Sequence, residues 1–269
     1  MEPILANKVS VITGSARGIG HAIALMLAKH GSQIVVNDLR EREGEETVQT
    51  IQAIGGKALF VKADVTNEQE VKNMYLDIFK TLGTVDILVN NAGGGNPFMV
   101  EDTSYELWKQ VIDVNLNAAF LCCKEVIPEM QRKRYGRIVN ISSLAAKKIS
   151  YHGSASYTAA KAGLLGFTRH LAYELAPYGI TVNAICPGGT LTQRIRDRVT
   201  PEEIKEETKR YPIGRWALPE DQAKAVLFFV SDLAEIVTGQ ALDVDGGELL
   251  GWLDFETYRN WRKRYLFKK

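Results

Sequence analysis

A phenol and an ammonium stand one helical turn apart in Tyr157-Thr158-Ala159-Ala160-Lys161. On a helix this spacing puts both on one face, where the cation lowers the pKa of the phenol. A free tyrosine near pKa 10 is only about one part in a thousand ionised at neutral pH, and bringing it near 7 takes about 4 kcal/mol of differential stabilisation. Far upstream, Thr13-Gly14-Ser15-Ala16-Arg17-Gly18-Ile19-Gly20 is a turn whose glycines let backbone N–H groups approach a pyrophosphate at a helix N-terminus. A proton donor or acceptor beside a bound dinucleotide is the minimum equipment for moving hydride on and off a carbonyl. The two segments together predict a dehydrogenase.

Gly14, Gly18 and Gly20 follow an apolar run and open a helical pattern, the context in which such a turn binds phosphate. Asp38 ends the next run, 18 residues beyond Gly20, where a carboxylate accepts hydrogen bonds from ribose hydroxyls and repels a 2′-phosphate. Two unit charges about 4 Å apart at an effective dielectric near 20 interact by roughly 4 kcal/mol, which favours NAD over NADP. Arg17 and Arg40 argue the other way, although Leu39 holds the place directly after Asp38 where a cation would meet a 2′-phosphate best. Asp38 could also cap the helical segment that starts near Glu41.

These groups need elements to position them. Short β-branched or apolar runs (Val9–Ile12, Ile34–Val36, Ala58–Val61, Ile87–Val89, Arg137–Ile141, Thr181–Ile185, Ala241–Val244) alternate with segments of helical period. Between the first two, Ile19, Ala22, Ile23, Met26 and Leu27 form one apolar stripe, and Gly31 closes the helix. Strand, helix and strand in succession require right-handed crossovers, so the expectation is a Rossmann-like α/β fold. Its sheet is doubly wound, parallel and seven-stranded, covered by helices on both faces in three layers. Ligands in such sheets sit outside the carboxyl ends of the strands, where both motifs fall.

Thr13-Gly14-x-x-x-Gly18-x-Gly20, Asn90-Asn91-Ala92-Gly93, Tyr157-x-x-x-Lys161 and Pro187-Gly188 occur in this order. On these motifs the chain, from residue 8 to about 248, resembles the classical short-chain dehydrogenases/reductases. The resemblance implies that Tyr157 is the general acid/base, Lys161 its electrostatic partner and a ribose ligand, and Ser143 the group that holds the substrate oxygen. It implies that Asn115 supports a proton-relaying water. Asp64 and Val65 would flank the adenine, Asn91 would line the cofactor floor, and Thr190 and Thr192, after Pro187 and Gly188, would hold the nicotinamide carboxamide. The resemblance also places Ser15, Arg17 and Ile19 of the turn, and Ala92 and Gly93, against the cofactor. The interval from Ser143 to Tyr157 is one residue longer than the family's usual spacing, which leaves Ser142 as a rival; placing the insertion in the loop favours Ser143.

Composition bounds the alternatives. The 269 residues are 45% hydrophobic and 24% charged with a formal net charge of +1, so nothing draws the chain globally to nucleic acid or membrane. No linker divides it, and a single domain over 1–250 is expected. Cys122, Cys123 and Cys186 lack metal or redox spacing and read as reduced core thiols; His21, His30, His152 and His170 are scattered, so no metal is expected. With no signal-peptide pattern and no apolar run long enough to span a bilayer, a cytoplasmic protein is expected.

Two segments fall outside the strand-and-helix rhythm. From Gly188 to Trp216 the chain is rich in charge, with Arg194, Arg196 and Arg198 alternating, and is expected to fold over the substrate as a lid whose arginines could meet an anionic substrate or stay solvated. The tail, 251–269, interleaves basic residues with aromatics at Trp252, Phe255, Tyr258, Trp261 and Tyr265, one helical stripe suited to packing on a neighbouring subunit. Members of the family are usually homotetramers, and Ala159, Ala160, Ala162 and Gly163 suit close packing of the helix that carries Tyr157. The function expected is NAD-dependent, reversible oxidation of a secondary alcohol to a ketone on a cyclic diol, sugar or polyol, or hydroxy acid. An NADPH-dependent 3-oxoacyl thioester reductase is the alternative, and a catalytically idle dinucleotide sensor a remote one.

Overall fold

The computed structural model describes residues 3–150, 152–251 and 253–266. Seven strands, β1 (Val9–Thr13), β2 (Gln33–Asp38), β3 (Ala58–Lys62), β4 (Ile87–Asn90), β5 (Gly136–Ile141), β6 (Ile180–Pro187) and β7 (Ala241–Val244), form one parallel sheet. The order is β3-β2-β1-β4-β5-β6-β7. The chain therefore winds outward from β1 in both directions, and the reversal between β1 and β4 opens a crevice at their carboxyl ends. All seven expected runs are strands of this sheet, and the fold is the Rossmann-like, single-domain α/β architecture expected.

Alternation along each strand sends neighbouring side chains to opposite faces. On one face Val11, Leu88 and Ile138 pack against α3 (Glu68–Leu82), α5 (Ala118–Lys133) and α6 (Ala155–Leu175). On the other, Ile12, Val89 and Val139 pack against α1 (Gly18–Lys29), α2 (Glu41–Ala53) and α9 (Pro219–Val230). The α1 stripe is buried most deeply at Ile23 and Leu27. The helix ends at Lys29, and Gly31 takes the left-handed conformation (φ 97°) that turns the chain into β2.

The remaining elements frame the crevice. α4 (Tyr105–Ile112) runs into one π-helical turn, Asp113–Asn117, before α5. The charged segment after β6 forms α7 (Gln193–Arg196) and α8 (Pro201–Thr208), the latter started by a capping box between Thr200 and Glu203. Buried Tyr211 and Trp216 anchor this segment, their rings 5.5 Å apart. Beyond β7, α10 (Phe255–Leu266) carries the basic and aromatic tail. Phe255, Tyr258 and Trp261 are exposed along it, while Trp252, Phe267, Lys268 and Lys269 lie outside the described residues. No helix among the described residues is long and apolar enough to cross a membrane.

Candidate active site

The turn after β1 is held open from behind. Thr13 Oγ1 accepts hydrogen bonds from the backbone N–H of Asn91 and Ala92, each at 3.0 Å, and Asn91 Nδ2 donates to the carbonyls of Thr13 and Gly14 at 2.9 and 2.8 Å. This clamps the ends of β1 and β4 together across the crevice. A Cβ on Gly14 would stand 2.8 Å from Ala92 Cα, and one on Gly20 would stand 2.5 Å from the Gly14 carbonyl oxygen. Only glycine keeps this cradle free. The N-terminus of α1 opens directly onto it.

All the sequence-predicted site residues except Ser15 and Asn115 line one continuous cavity of about 560 Å³. Ser15 is fully buried beneath the turn, and its hydroxyl donates to the Ile12 carbonyl at 2.7 Å. At the far end, Asp38 Oδ2 accepts from the Ala16 N–H at 3.2 Å, while Oδ1 accepts from the Arg40 N–H at 3.0 Å and from Arg40 Nη1 at 3.3 Å. Asp38 thus braces the glycine turn and the entry to α2 rather than capping that helix. Arg40 compensates the carboxylate directly, which weakens its repulsion of a phosphate. Asp64 and Val65 flank this end, with Asp64 Oδ1 accepting from the Thr66 N–H at 2.9 Å. A glycine cradle at a helix N-terminus, with a carboxylate at one end and a titratable wall at the other, fits a nicotinamide dinucleotide.

Tyr157 enters the opposite end from the first turn of α6, whose start is capped by Ser154. Burial raises the phenol's pKa, whereas a hydrogen bond to Ser143 and the positive charge of Arg194 lower it. Lys161 is buried, and its Nζ donates to the Ile141 carbonyl at 2.8 Å and lies 5.6 Å from the Tyr157 ring centroid. Burial pulls the Lys161 ammonium down to about 8. The ammonium sits over the ring face and is anchored to the sheet, and Ser143 and Arg194 supply the acidifying contacts.

The two serines are separated by their partners. Ser142 Oγ is buried and donates to the Lys161 carbonyl at 2.9 Å, stitching β5 to α6. Ser143 accepts from the Ala145 N–H at 3.1 Å and turns its hydroxyl toward Tyr157. Ser143→Ala is expected to lower kcat by about 10²-fold with little change in melting temperature, the outcome if the hydroxyl that faces Tyr157 has the orienting role the resemblance implies. Ser142→Ala is expected to destabilise the fold by about 1 kcal/mol and to change kcat far less. Parallel thermal melts and steady-state kinetics separate the two; a reversed pattern would give the role to Ser142.

Asn115 lies in the π-helical turn, an irregularity frequent at functional sites. Its Oδ1 accepts from the Gly94 N–H at 3.1 Å, and its Nδ2 donates to the Gly94 and Val111 carbonyls at 2.7 and 2.8 Å. The side chain is spent on holding the 93–95 loop beside Tyr157, where a Cβ on Gly95 would meet the ring at 3.1 Å. Thr190 Oγ1 donates to the Gly188 carbonyl at 3.0 Å, and the Thr192 methyl lies 3.5 Å from where a Cβ on Gly18 would project. The start of the segment after β6 thus rests on the N-terminus of α1.

Beyond Tyr157 the cavity has a wall that sequence motifs did not reveal. Lys148 pairs with Glu248, His152 Nε2 lies 3.7 Å from Glu207 Oε1, and Tyr211 and Trp216 close the floor. Arg194 crosses from the lid and donates through Nη2 to the Gly95 carbonyl at 3.1 Å. One signal for Glu248 was available, since Asp245-Gly246-Gly247-Glu248 directly follows the carboxyl end of β7. Cys122, Cys123 and Cys186 are free and buried, and burial pushes the Cys122 thiol up to about 12.

Comparisons with known proteins agree with this geometry. Residues 14–248 match the family model described as Enoyl-(Acyl carrier protein) reductase. An uncharacterized oxidoreductase of Thermotoga maritima is 40% identical over 246 residues, covering 90% of this chain and 97% of the relative. A 3-oxoacyl-[acyl-carrier-protein] reductase of Staphylococcus aureus is 37% identical over 242 residues, with 90% and 98% covered. Among solved structures, a 7α-hydroxysteroid dehydrogenase complexed with NADH and 7-oxo glycochenodeoxycholic acid superposes with a TM-score of 0.86 at 36% identity, covering 91% of this chain and 96% of that one. The chain belongs to the short-chain dehydrogenase/reductase family and is an NAD(P)-dependent oxidoreductase.

Proposed function

We propose that the enzyme oxidises a secondary alcohol to a ketone, reversibly and with NAD, on a small hydroxylated substrate such as a cyclic diol, a sugar or polyol, or a hydroxy acid. The observation that carries this reading is the wall formed by Tyr157, Ser143 and Lys161, which shares one cavity with the glycine cradle. A bound dinucleotide would supply the hydride acceptor for oxidation and the hydride donor for reduction. Tyr157 takes the proton from the alcohol oxygen in one direction and gives it back in the other. Ser143 holds that oxygen in line, and Lys161 supplies positive charge and a ribose contact. Asn115 keeps the 93–95 loop in place and supports the relay of the proton outward.

The charged and polar wall of Lys148, His152, Glu207 and Glu248 favours a substrate with several hydroxyls over a long acyl chain. Asp38 at the adenosine end favours NAD. A second reading, NADPH-dependent reduction of a 3-oxoacyl thioester, is favoured by the Arg40 contact that compensates Asp38 and by the Staphylococcus aureus relative. Measuring kcat/KM with NAD and with NADP for carboxylate-bearing secondary alcohols, matched neutral polyols and cyclic alcohols, and 3-oxoacyl thioesters decides between them. The expected result is a preference of at least about tenfold, roughly 1.4 kcal/mol in the transition state, for secondary alcohols with NAD. The converse preference, for thioesters with NADPH, overturns the reading. Among the alcohols, a preference for carboxylates assigns the lid arginines to the substrate.

On the same reading the enzyme is a cytoplasmic homotetramer. Ala159, Ala162 and Gly163 are exposed along α6 and leave room for close approach of a second helix, whereas Ala160 is turned inward and fully buried. The exposed aromatics of α10 suit a further subunit contact.

A further inference from the structure

Two carboxylates line the substrate end of the cavity without a part in the hydride and proton transfer proposed above. Glu248, in the turn beyond β7, pairs through Oε1 with Lys148. Glu207, in α8, has its Oε1 3.7 Å from His152 Nε2. Both basic side chains belong to the loop between β5 and α6, and both carboxylates to later segments that meet this loop at the cavity wall. The loop is fixed against the reacting group, since a Cβ on Gly153, next to His152, would stand 2.6 Å from the Tyr157 ring.

A carboxylate offers two oxygens and about four acceptor positions. Among the described residues Glu248 uses Oε1 alone; Oε2 has no donor there and lies 3.2 Å from where a Cβ on Gly188 would project. The contact of Glu207 with His152, at 3.7 Å, is longer than a hydrogen bond, so both of its oxygens remain open as acceptors. The two side chains are only 14% and 25% exposed, which leaves bulk water little access to these oxygens. Tyr211 stands close to both: burial first, then the charges of Glu248 and Glu207, push its phenol's pKa up, so it keeps its proton. Donors that satisfy such acceptors are hydroxyl groups of a ligand, in bonds that the negative charge makes roughly twice as strong as neutral ones. A carboxylate or phosphate in the same place would meet like charge.

We propose that Glu248 and Glu207 are specificity-determining residues that bind hydroxyls other than the reacting one, and that the substrate is a neutral sugar or polyol carrying at least two such hydroxyls. Lys148 and His152 stand against the carboxylates as positioning residues. The proposal rests on the reading of the enzyme as a secondary-alcohol dehydrogenase and narrows it. Arg194 and Arg210 line the same cavity and suit an anionic group, so a hydroxy acid is the outcome set against this one.

Steady-state kinetics with the preferred dinucleotide, on six-carbon sugars and polyols, cyclohexanol, a secondary hexanol and six-carbon aldonates, test it. Wild type is expected to favour its best polyol or sugar over the plain alcohols by about 10²-fold in kcat/KM, because acceptors left unpaired reject an analogue that lacks the hydroxyls. Glu248→Gln and Glu207→Gln keep the shape of the side chain and lose its charge. Each should cut that ratio by about tenfold, through KM for the polyol more than through kcat. In Lys148→Met/Glu248→Gln the deficit persists if Glu248 itself holds a hydroxyl, and its disappearance would reduce Glu248 to a restraint on Lys148 and overturn the proposal. A ratio unchanged in both glutamine variants overturns it too. So does a wild type that favours the aldonates or the plain alcohols, a result that does not depend on any variant folding. A wild type that oxidises none of these compounds would instead overturn the secondary-alcohol reading beneath the proposal.

Discussion

Tyr157→Phe is expected to lower kcat by about 10³-fold, within the range attributed to a positioned acid/base, while dinucleotide affinity stays within a factor of about three. The phenol has the hydroxyl of Ser143 against it and the charge of Arg194 nearby, so the wild-type group sits where a proton can be passed to a bound oxygen. Phenylalanine keeps the ring that packs against Gly95 and Gly153, where added Cβ atoms would stand 3.1 and 2.6 Å from it. The variant should therefore fold and melt like the wild type. Steady-state kinetics with the best alcohol substrate, paired with calorimetric titration of the cofactor, check both halves of the expectation. A variant that keeps wild-type turnover would remove Tyr157 from the mechanism. A wild type that binds the dinucleotide and turns over none of the alcohols or thioesters would point to the idle sensor instead.

Lys161→Met should abolish most of the activity and yet leave the protein about as stable at neutral pH. In the folded state burial pulls Lys161 to about 8, against 10.5 for an unperturbed lysine. Below pH 8 the side chain is protonated in both folded and unfolded chains, and the cost of burying its charge is fully present. As the pH rises toward 10.5 the folded protein has shed a proton that the unfolded chain keeps, so the wild type gains stability over that window, by an amount on the order of 3 kcal/mol. Methionine has no proton to lose and gains nothing. At pH 7 the variant escapes the charge-burial cost but orphans the Ile141 carbonyl, a loss of roughly 1 to 3 kcal/mol that nearly cancels it. Urea denaturation at pH 7 and pH 10 should show wild type and variant close at the lower pH and the wild type ahead by about 2 kcal/mol or more at the higher. A difference that does not change with pH would mean that Lys161 is not held as a desolvated ammonium. On the proposed mechanism, in which Lys161 places positive charge at the reacting oxygen, kcat falls at the same time by about 10² or more.

Much of this was legible in the chain because its causes are local. Alternation and β-branched runs placed all seven strands, since the period of a buried strand is written in adjacent residues. The glycine turn was legible for the same reason: Gly14, Gly18 and Gly20 bear on one short stretch of backbone. The four-residue interval between Tyr157 and Lys161 correctly put both on one helix and in one cavity. It did not show that Lys161 would be anchored to the Ile141 carbonyl, because that contact depends on how α6 lies against β5. Ser142 and Ser143 could not be told apart by counting, since opposite side-chain directions on an extended strand send one hydroxyl into the helix contact and the other into the cleft.

The partners of the charged groups belong to the tertiary structure alone. Asp38 and Arg40 are near in sequence, yet the carboxylate's bond to the Ala16 N–H exists only because β2 lies beside β1. Arg17, Arg40, Arg194 and Arg198 come from three separate segments and share a cleft only once the lid folds over α1. Electrostatic interaction depends on distance and on burial, neither of which is encoded by spacing along the chain. Residue types and intervals thus determined the fold and the class of chemistry. Which phosphate and which substrate that chemistry serves is decided by side chains that packing brings together from opposite sides of the cleft.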